Sequence, residues 1–181
     1  MVEEVNREFL RAHRGRTITS MSADRAHKTS IGDHFYTTSF QEHSQAVSAV
    51  GYCSEVIACF VFQKQEADSQ PLYRLWRPIL NDHFYTTDLG ERDRAINSYG
   101  YVNEGIACYV YPENRANTVP LYRLFNTNYH DHFYTINQDE RFDVESRLGY
   151  VFELEACFVF SQQEAGSVPF YRSVSPKVPK S

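Results

Sequence analysis

A chain of 181 residues, 42% of them apolar, is long enough for one domain with a real core. Its net charge is -5, with both signs mixed and no basic run. That excludes a nucleic-acid surface built on clustered Lys and Arg, and equally a polybasic membrane anchor.

In chain order, residues 1–32 read as an N-terminal extension with a short helix around Glu3–Ala12. The start, Met1 to Glu8, has no basic segment followed by an apolar run, so no signal peptide is visible. No stretch approaches the ~20 apolar residues of a membrane span. A cytoplasmic or non-classically secreted protein without membrane insertion is expected.

From Asp33 onward the chain echoes itself. Asp-His-Phe-Tyr-Thr begins at Asp33, Asp82 and Asp131, 49 residues apart each time. Gly51-Tyr52 and Ala58-Cys59 return at the same step, as does Pro71-Leu72-Tyr73-Arg74, with Phe170 in place of Leu in the last copy. A fixed period sets the architecture, here as units 33–81, 82–130 and 131–175. It also implies that a site built on repeated residues comes in three copies, a pattern more usual in binding modules than in enzymes.

The middle unit defines the elements. Asp82–Thr87 is aromatic and β-branched, which predicts a strand. Asp88 and Glu91 have capping-box spacing, as do Ser39 and Glu42, and Asn137 and Glu140. Each pair should start about ten residues of helix that stop at Gly51, Gly100 or Gly149. Ile106–Tyr111 reads as a second strand, apolar on both faces and so buried on both. A polar loop, Pro112 to Val119, leads to a third strand, Leu121–Phe125. The unit is therefore β-α-β-β.

The ends suit closure. The third unit stops before a fourth Asp-His-Phe-Tyr-Thr, so Asp33–Thr38 is expected to pair with the C-terminal strand at Phe170–Ser173. The expected fold is α+β: three repeats closed into a pseudo-three-fold ring, propeller-like or trefoil-like, without exposed edges. Residues 176–181 read as a disordered tail.

These residues resemble a family of uncharacterised repeats marked by Pro-Leu-Tyr-Arg, Asp-His-Phe-Tyr-Thr and Gly-Tyr…Gly-Ile-Ala. Gly100–Ala107 with Pro120–Arg123 carries the resemblance most closely, and it extends over about Asp33 to Arg172. Such repeats occur in fungal and bacterial proteins, often beside secreted hydrolase domains, which implies a binding accessory. The loops before the repeated strands depart from the family's Asn- and Gly-containing pattern and differ among the copies. Leu154-Glu155 replaces Gly105-Ile106, marking the third copy as divergent.

Cys59, Cys108 and Cys157 hold one position in the three units, while Cys53 has no counterpart. Three matched Cys cannot all pair. They read as reduced core residues, with a three-Cys metal site as the alternative that the flanking Phe and Val argue against. A three-His metal site would need the repeated His to converge on an axis, whereas a strand start more readily faces a rim. No cofactor is expected.

Arg74, Arg123 and Arg172 lie between apolar neighbours and should pair with carboxylates, with Glu55, Glu104 and Glu153 at hand. The functional alternative is a shallow sugar site at each copy. His34, Tyr36, His83, Tyr85, His132 and Tyr134 would supply hydrogen bonds. Trp76 and Phe125 would offer stacking faces, and Asn81, Asn126 and Tyr129 would line the variable loops. No Gly-x-Ser-x-Gly, phosphate loop or His-Glu-x-x-His occurs, so no catalytic residue is nominated. The expectation is a non-catalytic, lectin-like protein that binds a glycan or glycoprotein and could form homo-oligomers. A protein-interaction or defence module is the alternative, and a hydrolase comes after that.

Overall fold

A computed structural model describes residues 31–176. The helix expected near residues 3–12 and the tail beyond Pro176 lie outside the described residues.

The fold is β-rich: the described residues form nine antiparallel strands in one open sheet, with three short helical segments. In chain order they are β1 (Ile31–Thr37), α1 (Phe40–Gln45, continued by a π-helical turn, Ala46–Val50), β2 (Cys53–Phe62), β3 (Gln70–Arg77), β4 (Asp82–Thr86), α2 (Leu89–Tyr99), β5 (Val102–Val110), β6 (Thr118–Asn126), β7 (Asp131–Thr135), α3 (Gln138–Leu148), β8 (Val151–Phe160) and β9 (Ser167–Pro176).

The strands fall into three meanders, β5-β3-β4, β8-β6-β7 and β2-β9-β1. The last joins the two ends of the described chain, with Phe35 opposite Ser173 and Tyr36 opposite Arg172. That is the pairing the chain ends predict. Between meanders the ladder is thin: Phe62 pairs with Tyr109, Phe60 with Phe160, and Tyr111 bridges to Phe158. The sheet order is β4-β3-β5-β2-β8-β6-β7, with β9 branching from β2, so the backbone ladder is open.

Each helix opens as its sequence predicts, but only half of the capping box forms. The N-cap oxygens of Ser39, Asp88 and Asn137 accept the N–H of Glu42, Glu91 and Glu140. Those glutamates do not reach back. The N-cap N–H groups donate instead to Thr37, Thr86 and Thr135, which frees the three carboxylates for other partners. Gly51, Gly100 and Gly149 stop the helices at φ of 92°, 75° and 75°, where a Cβ would be strained.

Two expectations about β5 need correction. The strand begins at Val102, not Ile106, and its first half is exposed while only its second half packs inward. A bulge at Glu104 breaks the apolar pattern that marks a strand, and Gly105 beside it has φ of 97°. The third strands are also longer than predicted, β6 running from Thr118 to Asn126.

The core is layered. Tyr36, Tyr85 and Tyr134 pack with Cys59, Cys108, Cys157, Val61, Val110 and Val159. Beyond these, Phe62, Tyr111 and Phe160 meet edge to face, with centroids 5.4–6.0 Å apart.

Candidate functional site

Strands β1, β4 and β7 are the free edges of their meanders, yet every residue of β4 and β7 is buried. Their outward N–H and C=O groups therefore need partners other than water. Side chains from a neighbouring copy supply them. Tyr36 donates its hydroxyl to the Tyr134 carbonyl and accepts the Tyr134 N–H. Tyr134 does the same to Tyr85, and Tyr85 to Tyr36, every contact being 2.8 Å. Burial raises the pKa of all three phenols, which keeps them protonated as donors.

One step along the strands, carboxylates repeat the arrangement. Asp131 accepts the His34 N–H at 2.8 Å and the His34 imidazole Nδ1 at 2.6 Å. Asp33 holds His83 in the same way at 2.6 and 2.5 Å, and Asp82 holds His132 at 2.9 and 2.8 Å. Tyr52, Tyr101 and Tyr150 donate to Asp33, Asp82 and Asp131. Because an ionised carboxylate only accepts, Nδ1 carries a proton in each pair. The three carboxylates lie within 4.8 Å of one another, a spacing that could suit a cation. Each, however, already receives an N–H, an imidazole and a phenol.

The arginines behave as the sequence predicts. Arg74 forks onto Glu42 and places Nε 2.9 Å from Glu104. Arg123 joins Glu91 and Glu153, and Arg172 joins Glu140 and Glu55. The bulges in β2, β5 and β8 fall at Glu55, Glu104 and Glu153 and turn these acids towards the guanidinium groups. Burial works against ionising Glu42, but Arg74 and Thr37 outweigh it and hold the carboxyl below its ordinary value. Each Glu–Arg–Glu bridge ties a helix start to a bulged strand.

At one junction this frame borders open space. A cleft of about 310 Å³ lies between α1 with its π-helical turn and strands β3, β4 and β5. Glu42, Arg74, Trp76, Asn81, His83 and Glu104 are among the residues lining it. Trp76 stacks near His83, centroids 6.2 Å apart, and its buried indole N–H has no acceptor among the described residues.

Trp76, Asn81 and His83 are thus the predicted site residues that the fold brings together. Tyr36, Tyr85 and Tyr134 lie in the core with both faces of their hydroxyls engaged, so they serve the hub and are not at a rim. Asn126 is also buried. It accepts the N–H groups of Asn128 and Tyr129 and donates to the Leu148 carbonyl, shaping its loop. Tyr129 is half-buried in that loop. Phe125 packs against His132 at 4.5 Å, and His34 is buried between Asp131 and Phe133. Glu42, Gln45 and Glu104 were not nominated as ligand contacts. They line the cleft because the fold brings the start of α1 beside the bulge in β5.

These features define a β-rich domain built on one antiparallel sheet, with a cleft where two of its sequence copies meet. Residues 22–160, and again 111–180, match the model of a domain of unknown function, DUF5648, and the chain belongs to that family. No curated protein and no solved structure matches the chain. No helix among the described residues is long and apolar enough to cross a membrane.

Proposed function

We propose that the protein is a non-catalytic, lectin-like domain that holds a glycan or glycoprotein in the cleft at Trp76. One observation carries this reading: a tryptophan forms part of a 310 Å³ cleft whose wall also bears Glu42, Gln45, Asn81 and Glu104. A pyranose offers C–H bonds on its faces and hydroxyls around its edge. It therefore suits an aromatic plane set beside donors and acceptors, in a cleft at the small end of the ligand-binding range.

The scaffold in this proposal is a pseudo-three-fold ring of repeats, closed by side chains where the backbone ladder stays open. The cyclic Tyr36–Tyr134–Tyr85 bonds and the three Asp–His pairs support it. In this reading the repeated residues serve architecture and the variable rim meets the ligand. Such a domain would act in the cytoplasm or after non-classical secretion.

A glycan array probed with the full chain tests the proposal, followed by Trp76→Ala on any hit. Binding lost in that variant, with the fold intact, is the expected result. An array without hits for well-folded protein sinks it. A protein-interaction module is the second reading, favoured by exposed apolar Val102, Ile106 and Val151 on β5 and β8. Under it, a protein partner would be captured and the array would stay silent.

A further inference from the structure

The three junctions share a charged frame but not a rim. Stepping 49 residues from the Trp76 cleft, Glu42, Arg74, His83 and Glu104 become Glu91, Arg123, His132 and Glu153. The bonding is kept as well, since Arg123 joins Glu91 and Glu153 as Arg74 joins Glu42 and Glu104. The rim changes instead. Gln45 becomes Arg94, Val50 becomes Tyr99, Trp76 becomes Phe125 and Asn81 becomes His130. At the third junction the places of Gln45, Val50 and Trp76 hold Asp143, Leu148 and Val174. Frame residues present in all three copies are accounted for by folding. The frame sets a charge common to the junctions, and the residues that can confine binding to one of them are those peculiar to the first.

The charges of that junction narrow the ligand. The Arg74 guanidinium is spent on Glu42 through both terminal nitrogens, and its Nε faces Glu104. Both glutamates remain partly exposed to the cleft, with side-chain exposures of 39% and 27%, while Arg74 keeps only 16%. A ligand thus meets two carboxylates and a cation that is already shared between them. A ligand carboxylate, sulfate or phosphate would face like charge with no free guanidinium to receive it. Hydroxyl groups, by contrast, can donate to the spare glutamate lone pairs and accept from the second N–H of the Asn81 amide, whose nitrogen already donates to Ser175.

Taking the carbohydrate reading as its basis, we infer that the chain binds one glycan unit per molecule, at the Trp76 junction, and that the unit is an uncharged sugar. Uronic and other acidic sugars are rejected by Glu42 and Glu104. The multiplicity implied by the repeats then belongs to the scaffold and not to the binding site.

The chain has a single tryptophan, so its fluorescence reports on this junction alone. The full chain is titrated with methyl glycosides of neutral hexoses and N-acetylhexosamines, and with the matching methyl uronides. Stoichiometry is read by calorimetry. The inference expects neutral glycosides to shift Trp76 emission at one site per chain, with uronides weaker by about tenfold or more. That gap should narrow in roughly 0.5 M salt, where like-charge repulsion is screened, without any need for a variant. Phe125→Ala should leave neutral binding unchanged, whereas Trp76→Phe should weaken it. Uronides that bind as well as neutral sugars, more than one site per chain, or loss of binding in Phe125→Ala would overturn the inference while leaving carbohydrate binding standing. Silence from every glycoside, neutral and acidic, would overturn both.

Discussion

The hydroxyl of Tyr85 sits 2.8 Å from both the N–H and the C=O of Tyr36, so one side chain closes both backbone groups of an edge residue. A strand neighbour would do the same work through its main chain. Here the phenol replaces the neighbour, and the same device recurs from Tyr36 to Tyr134 and from Tyr134 to Tyr85. Three edge strands can therefore meet inside a core without forming a ladder with one another.

Removing one phenol oxygen strands two buried groups at once. Tyr85→Phe leaves the Tyr36 N–H and C=O unpaired, which costs about 2–4 kcal/mol. Tyr36→Phe and Tyr134→Phe should cost similar amounts, since each leaves the equivalent pair bare. Urea unfolding measures all three. A loss below about 0.5 kcal/mol in any of them would mean that water replaces the hydroxyl.

Asp131→Asn should be more damaging, by about 3–5 kcal/mol, because it removes the buried carboxylate that His34 and Tyr150 face. It also bears on pH. Burial opposes the charged form of His34, but the charge and hydrogen bond of Asp131, with help from Glu55, outweigh it and raise the pKa above the ordinary 6.5. A raised histidine stabilises the fold fully below pH 6.5, and the benefit is lost as pH climbs through the folded value. His43 has the opposite sign. Burial penalises its charged form and lowers its pKa, so stability falls as pH drops below 6.5 and the unfolded chain takes up the proton more readily. Thermal melts of Asp131→Asn should lose the alkaline slope, and those of His43→Gln should lose part of the acid slope. Unchanged profiles would remove these residues from the account.

Arg74→Lys keeps the charge but cannot fork onto Glu42 while also facing Glu104. The expected loss is about 1–3 kcal/mol, read as a lower urea midpoint. An unaltered midpoint would show that a point charge suffices at the junction.

The four cysteines are all free, with Cys53 exposed and the other three buried. Burial raises the thiol pKa of Cys59 and Cys108 and pushes that of Cys157 up to about 12. Alkylation of native protein should label Cys53 alone, and unfolding in denaturant should expose all four to the reagent. Labelling of Cys108 under native conditions would contradict the packing of the core.

Much of the fold is legible from local pattern. Asp88 and Asn137 mark helix starts, and Gly100 and Gly149 mark the stops, because caps depend on neighbours a few residues away. The pairing of β1 with β9 is legible for a different reason: the period leaves one strand missing at the end of the chain and one spare at its beginning. The bulges were not legible. At Glu104 and Glu153 one residue is skipped in the ladder, and nothing in the local sequence distinguishes such an acid from a solvent-facing strand residue.

The candidate site divides along the same line. By its own period, the sequence set the expectation of three like units, of paired first and last strands, and of carboxylate partners for the repeated arginines. Only the tertiary structure decided that Tyr36, Tyr85 and Tyr134 are core and not rim, and that Trp76 shares a cleft with Glu42 and Gln45 from the start of its own unit and Glu104 from the next. The reason is physical. Caps, periods and alternation act over a few residues of chain. The direction a tyrosine faces, and whether an indole borders a wall or open space, depends on segments about 30 to 100 residues away that only folding brings into contact.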